Sequence, residues 1–101
     1  MKHMVIVKMN ENAPSREEFI QKAKEAFAPV TDIPGIRAVR VIPGLPLAEN
    51  RYDFIVEIDM DKESLPAYNE SEAHKNWKKT YASWIQHKAI FDCEDNVAFS
   101  L

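Results

Sequence analysis

Residues His3 to Met9 (HMVIVKM) constrain the fold more than any other stretch. The run is short and rich in β-branched residues, and it stops at the polar turn Asn10-Glu11-Asn12, so it reads as a strand. Alternation puts His3, Val5, Val7 and Met9 on one face and Met4, Ile6 and Lys8 on the other. Both faces are largely apolar. A strand of that kind is covered on both sides, so whatever forms around it has to supply two lids rather than one.

The rest of the chain supplies the first lid. Ser15-Arg16-Glu17-Glu18 has the form of a capping box, with Ser15 accepting from the Glu18 amide and Glu18 reaching back to the Ser15 amide. Phe19, Ile20, Ala23, Ala26, Phe27 and Val30 then recur at helical spacing and define a core-facing stripe. Pro29 predicts an irregular helix end, and Pro34-Gly35 closes it off. Ile36 to Ile42 reads as a second strand, with Ile36, Ala38, Arg40 and Ile42 on one face and Val39 and Val41 opposite. Pro43 to Asn50 is a loop. Arg51 to Asp59 alternates most cleanly, Tyr52, Phe54, Val56 and Ile58 against Asp53, Ile55, Glu57 and Asp59. A short helical piece from Lys62 to Asn69 leads to Ser71, an expected N-cap. A longer helix carries Ala73, Trp77, Tyr81 and Trp84, and His87 to Cys93 returns as the last strand.

The order β-α-β-β-α-β is the split βαβ pattern of the ferredoxin-like α+β fold: a four-stranded antiparallel sheet with its helices on one face. The other face would be an apolar patch of a kind that monomers rarely expose. A second copy of the chain is the expected second lid, giving a homodimer through the sheet faces, a dimeric α/β barrel.

Composition bounds the function. The 101 residues suit one domain, residues 1–101, with one core. The net charge of −3 argues against a nucleic-acid partner, because affinity for phosphate backbones needs clustered cations. Cys93 is the sole cysteine, so neither an internal disulfide nor a cysteine zinc knuckle is available. Its apolar strand context predicts an inert buried thiol. Met1 to Met9 is too short for a signal peptide, and no apolar run approaches the ~18 residues of a membrane span. The expected location is the cytoplasm, with no membrane partner.

The residues also resemble the stress-responsive dimeric α/β barrel (Dabb) domains. The likeness runs through Lys2-His3 opening a strand, Pro34-Gly35 before the second, Tyr52-Asp53 opening the third, Tyr68 with Ala73-His74 after it, and Ile90-Phe91-Asp92 near the end. It covers residues 2 to about 94, and its specificity lies in order and spacing. The resemblance implies a ferredoxin-like protomer whose sheet pairs with a partner's. Plant polyketide cyclases of similar layout close a poly-β-keto thioester by a cofactor-free aldol step, with a His as base and a Tyr orienting the substrate. By that likeness the roles fall on His74 and Tyr68, with His3 as the first-strand histidine. This chain has Ser71-Glu72-Ala73-His74 where the family often shows His-Pro-Ala-His, so the local mouth of the pocket departs from the family's.

His74, Tyr68 and His3 are therefore the candidate catalytic residues. A neutral imidazole takes a proton near pH 7, and a phenol donates to a developing enolate. The plainer reading is a capped histidine beside a packing tyrosine. His3, His74 and His87 lack HxH or HExxH spacing, and neither metal nor cofactor is expected. Trp77, Tyr81 and Trp84 read as core, and Lys75, Lys78, Lys79 and Lys88 as a solvated face. Two function classes stay open. One is a dimer binding a small hydrophobic carbonyl ligand, as a cofactor-independent cyclase, isomerase or monooxygenase-like enzyme. The other is a non-catalytic stress or assembly protein with a packed barrel core. A cavity of a few hundred Å3 with His74 and Tyr68 pointing into it would separate them.

Overall fold

The alternating runs become four strands in a computed structural model that describes residues 1–101: β1 (Lys2–Met9), β2 (Ile36–Pro43), β3 (Phe54–Met60) and β4 (Ile85–Cys93). They form one antiparallel sheet in the order β2-β3-β1-β4, so β3 and β1 are central. Three helices pack on one face: α1 (Arg16–Phe27), α2 (Leu65–Glu70) and α3 (Glu72–Tyr81). This is the ferredoxin-like arrangement.

Helix starts follow the capping residues. Ser15 Oγ accepts from the Glu18 amide at 3.1 Å, while the return bond from the Glu18 side chain is not made. Glu17 and Glu18 in the first turn of α1 and Lys24 in its last suit the helix dipole. Pro29 has no N–H to continue the ladder, so the chain tightens into a 3-10 turn over Ala28–Asp32.

Between sheet and helices lies the core. Val5 and Val7 of β1 and Phe54, Val56, Ile58 and Met60 of β3 meet Phe19, Ala23, Phe27, Val30 and Trp77. Phe19 stands edge-on to both Phe54 and Trp84, each at 5.1 Å between centroids. Trp77 is buried, and Tyr81 and Trp84 pack half-buried against the same cluster, so that stripe belongs to the core as its spacing indicates.

Three expectations shift. Ile36 lies in the core, yet a bulge between Ile36 and Ala38 reverses the alternation after it. Val39 and Val41, paired with Ile58 and Val56, share the helix side, and Ile36 joins them rather than Ala38, Arg40 and Ile42. The third strand begins at Phe54, not Arg51, because Asp53 is diverted to another task. Its N–H bonds Val7 O and its carboxylate accepts from the Met9 N–H, both at 2.8 Å. Tyr52 is accordingly left 39% exposed in the loop. Finally, Cys93 is half-buried rather than buried.

Gly35 makes the turn into β2 with φ +87°, and a Cβ there would stand 2.0 Å from Ser64 Oγ. That hydroxyl is itself held, donating to Pro34 O at 2.8 Å. The turn therefore requires glycine on two counts, backbone and space.

The opposite face of the sheet has no helix over it. Met4, Ile6 and Ile55 are half-buried there, and Phe91 is 55% exposed. Between these run ion pairs: Arg40 with Glu57, Lys2 with Asp59 at 3.2 Å, and Arg37 with Asp59 at 3.0 Å. No helix is long and apolar enough to cross a membrane.

Candidate functional site

The break between α2 and α3 builds the first half of the site. Ser71 is extended (φ −66°, ψ 151°), which stops α2 and starts α3. Its hydroxyl donates to Tyr68 O at 2.7 Å and accepts from the His74 amide at 3.2 Å. One side chain thus clamps the backbone on both sides of the kink. Tyr68 and His74, six residues apart, are turned together with 4.7 Å between ring centroids.

The second half comes from the sheet. His3 leaves β1 on the helix side, nearly buried, and its ring meets Tyr68 edge-on at 5.3 Å. Tyr68 therefore lies between two imidazoles. All three sequence candidates are brought together, on the helix side of the sheet rather than on the bare face.

Hydrogen bonding assigns the ring protons. His74 Nδ1 is 3.0 Å from Asn69 O, and a carbonyl only accepts, so Nδ1 carries the proton. In the neutral ring, Nε2 is then a free lone pair. Burial holds His74 below the usual histidine value. The Asn69 carbonyl opposes this, while Lys78, Lys88 and His3 reinforce it. The ring is accordingly neutral at pH 7.

His3 Nδ1 lies 2.5 Å from Asp92 Oδ1, across the register pair His3–Asp92 of β1 and β4. The sequence reading did not single out Asp92 as a site residue; it appeared only inside the Ile90-Phe91-Asp92 resemblance. The available signal was a lone carboxylate interrupting the apolar run of the last strand.

Tyr68 is fully buried, and its hydroxyl has no hydrogen-bond partner. Burial pushes its phenol far above the ordinary tyrosine value, so it remains protonated and able to donate. Leaving such a group unsatisfied costs about 1–3 kcal/mol, and it is the one buried side-chain polar atom in the chain without a partner.

No hollow of this chain holds His74 and Tyr68 together, the arrangement that would separate the two function classes. His74, Asn69, Lys75, Lys78 and Lys79 line an open hollow of about 460 Å3, and neither Tyr68 nor His3 reaches any hollow. Two larger hollows lie elsewhere, one beside Lys2, Asp59 and Cys93 and one between α1 and β2. No three His, Cys, Asp or Glu side chains are grouped as a metal would need. His87 is paired with Lys8 at the far end of β4 from the His3–Asp92 pair.

A family model described as Stress Responsive A/B Barrel Domain matches residues 1–95. No match is found among curated proteins. Among solved structures, a dimeric ferredoxin-like protein of unknown function from Bacteroides fragilis is 22% identical with a TM-score of 0.74, covering 92% of this chain and 93% of its own. A Dabb family protein with a ferredoxin-like fold from Mesorhizobium loti is 16% identical with a TM-score of 0.68, covering 98% and 96%. A protein of Arabidopsis thaliana is 17% identical with a TM-score of 0.76, covering 99% and 98%.

Proposed function

The chain belongs to the stress-responsive A/B barrel domain family, and from that premise we propose that it binds a small carbonyl compound beside His74 and moves a proton on it. The reading has residues 1–101 act as one domain, paired with a second copy over the bare sheet face. The solved relative from Bacteroides fragilis is described as dimeric, which supports the pairing.

The unpartnered Tyr68 hydroxyl beside a histidine with a free Nε2 carries the reading. In the step, His74 Nε2 takes a proton from the carbon next to the carbonyl. The C–H electron pair moves into the enolate, and the Tyr68 O–H donates to the enolate oxygen. His3, held by Asp92, orients the Tyr68 ring from the sheet side. Returning the proton to another carbon isomerises the compound; attack of the enolate carbon on a second carbonyl closes a ring. Neither route needs a cofactor. A small opening movement of α2 and α3 has to admit the ligand to Tyr68.

A non-catalytic role with a packed core is the second reading, and one observation favours it: no hollow reaches Tyr68. Deuterium exchange separates the two. A panel of β-keto acids and esters is incubated with the protein in D2O and exchange at the α-carbon followed by NMR. Wild type should accelerate exchange. His74→Ala should abolish it and Tyr68→Phe should slow it at least tenfold, with fold and association unchanged in both. Equal exchange in all three proteins, with His74→Ala less stable, would establish the structural role instead.

A further inference from the structure

Four exposed lysines gather around His74 without a carboxylate partner, which Lys8 and Lys24 also lack. Lys2, Lys22 and Lys62 each pair with a carboxylate. Lys75, Lys78, Lys79 and Lys88 pair with none, although acidic residues outnumber basic ones in the chain, 16 to 13. Three of the four line the same hollow as His74. The fourth comes from the sheet: Lys88 pairs with Val7, whose side chain is buried under the helices, so Lys88 shares that side of the sheet.

The acids nearby do not compensate. Glu70 and Glu72 flank the Ser71 kink, exposed and without an ion pair, and Asp92 is held by His3. Burial holds the Lys88 ammonium below its ordinary value, and Lys78 adds to this by repulsion. Cations gathered without counter-charge repel one another in the empty protein. An anion placed among them turns that repulsion into attraction, and charges focused at a concave mouth raise the local concentration of anions.

We propose that the carbonyl compound carries an anionic group, a carboxylate or a phosphate-like group, which Lys75, Lys78, Lys79 and Lys88 hold at the mouth of the hollow beside His74. The inference rests on the ligand reading above and gives it a substrate class. The anionic end sits in the lysine ring and the reacting carbon faces His74. The same cations also stabilise the negative charge of the enolate.

Three probes test it by NMR titration of the intact protein: acetoacetate, 2-oxopropylphosphonate and methyl acetoacetate, the last an uncharged ester of the first. At low salt at least one anion should bind at least tenfold more tightly than the ester, shifting the His74 ring together with the amides of Lys75, Lys78 and Lys79. The tighter anion identifies the group. The preference should shrink as salt is raised, and the double variant Lys78→Gln/Lys88→Gln should erase it without changing binding of the ester. An ester that binds as well as both anions while shifting His74 overturns this inference and leaves the carbonyl-ligand reading standing. Anion shifts confined to the lysine amides, with the His74 ring unmoved, overturn both.

Discussion

Over the two central strands Val7, Val56 and Ile58 on the helix side have no exposed surface at all, whereas Met4, Ile6 and Ile55 on the bare side are only half covered; on the edge strand β4 both sides are open, with Ile90 52% and Phe91 55% exposed. The two faces treat charge and polarity just as differently. Every carboxylate on the bare side is matched: Glu57 by Arg40, Asp59 by Lys2 and Arg37. Beneath the helices a tyrosine hydroxyl is left without a partner. Paired charges still lose hydration when another protein surface covers them, but none is left buried without its counter-ion, which is the costlier case. An unpaired buried hydroxyl is a standing cost that only a ligand or a water relieves. The difference teaches that the two faces are built on opposite terms: the bare side leaves apolar surface uncovered but its carboxylates matched, and the helix side covers its central side chains but leaves one hydroxyl unmatched.

Substitutions can break that contrast. Phe54→Ala, on the sealed face, should cost about 3–5 kcal/mol in chemical denaturation. A midpoint near wild type would show that the sealed face is not sealed. Arg40→Gln should cost about 1–2 kcal/mol by leaving Glu57, nearly buried, without its cation. No loss would mean that Glu57 finds water and the bare face is wetter than described. Phe91→Asp should change protomer stability by no more than about 0.5 kcal/mol, yet halve the molar mass seen by light scattering. An intact dimer in that variant would move the interface to another surface. The smallest effect is on pH dependence. His74 is held below its usual 6.5, so the unfolded chain binds its proton more readily than the folded one. Its contribution to stability is whole above about pH 6.5 and is lost as pH falls through the lower folded value. His74→Gln should flatten that acid-side slope, and an unchanged slope would assign it to other groups.

Much of this was legible in the chain because the relevant signals are local. Ser15 and Ser71 announce helix starts within three residues of the amides they cap, and Pro29 announces the end of α1. The convergence of Tyr68 with His74 follows from the kink at Ser71, which lies between them. What escaped the sequence depends on pairing. The bulge at Ile36 to Ala38 inserts a residue that alternation cannot reveal. Tyr52-Asp53 continues the strand pattern of Phe54 to Ile58, and only the tie from Asp53 to Val7 and Met9 removes it from the strand. Asp92 finds His3 across 89 positions of sequence. Lys88 reads as part of a solvated face and is exposed, as are Lys75, Lys78 and Lys79; only the register shows that it stands on the helix side of the sheet.

That long reach has a kinetic meaning. The Tyr68–His74 half needs only one kinked segment, so it can form as soon as α2 and α3 do. The His3–Asp92 half closes a loop of nearly the whole chain, and closing long loops is entropically costly and slow. It has to wait until β4 docks against β1. During synthesis Asp92 thus reaches His3 only after the last strand has emerged. A chain interrupted before β4 carries His74 and Tyr68 side by side but leaves His3 without the carboxylate that aims it.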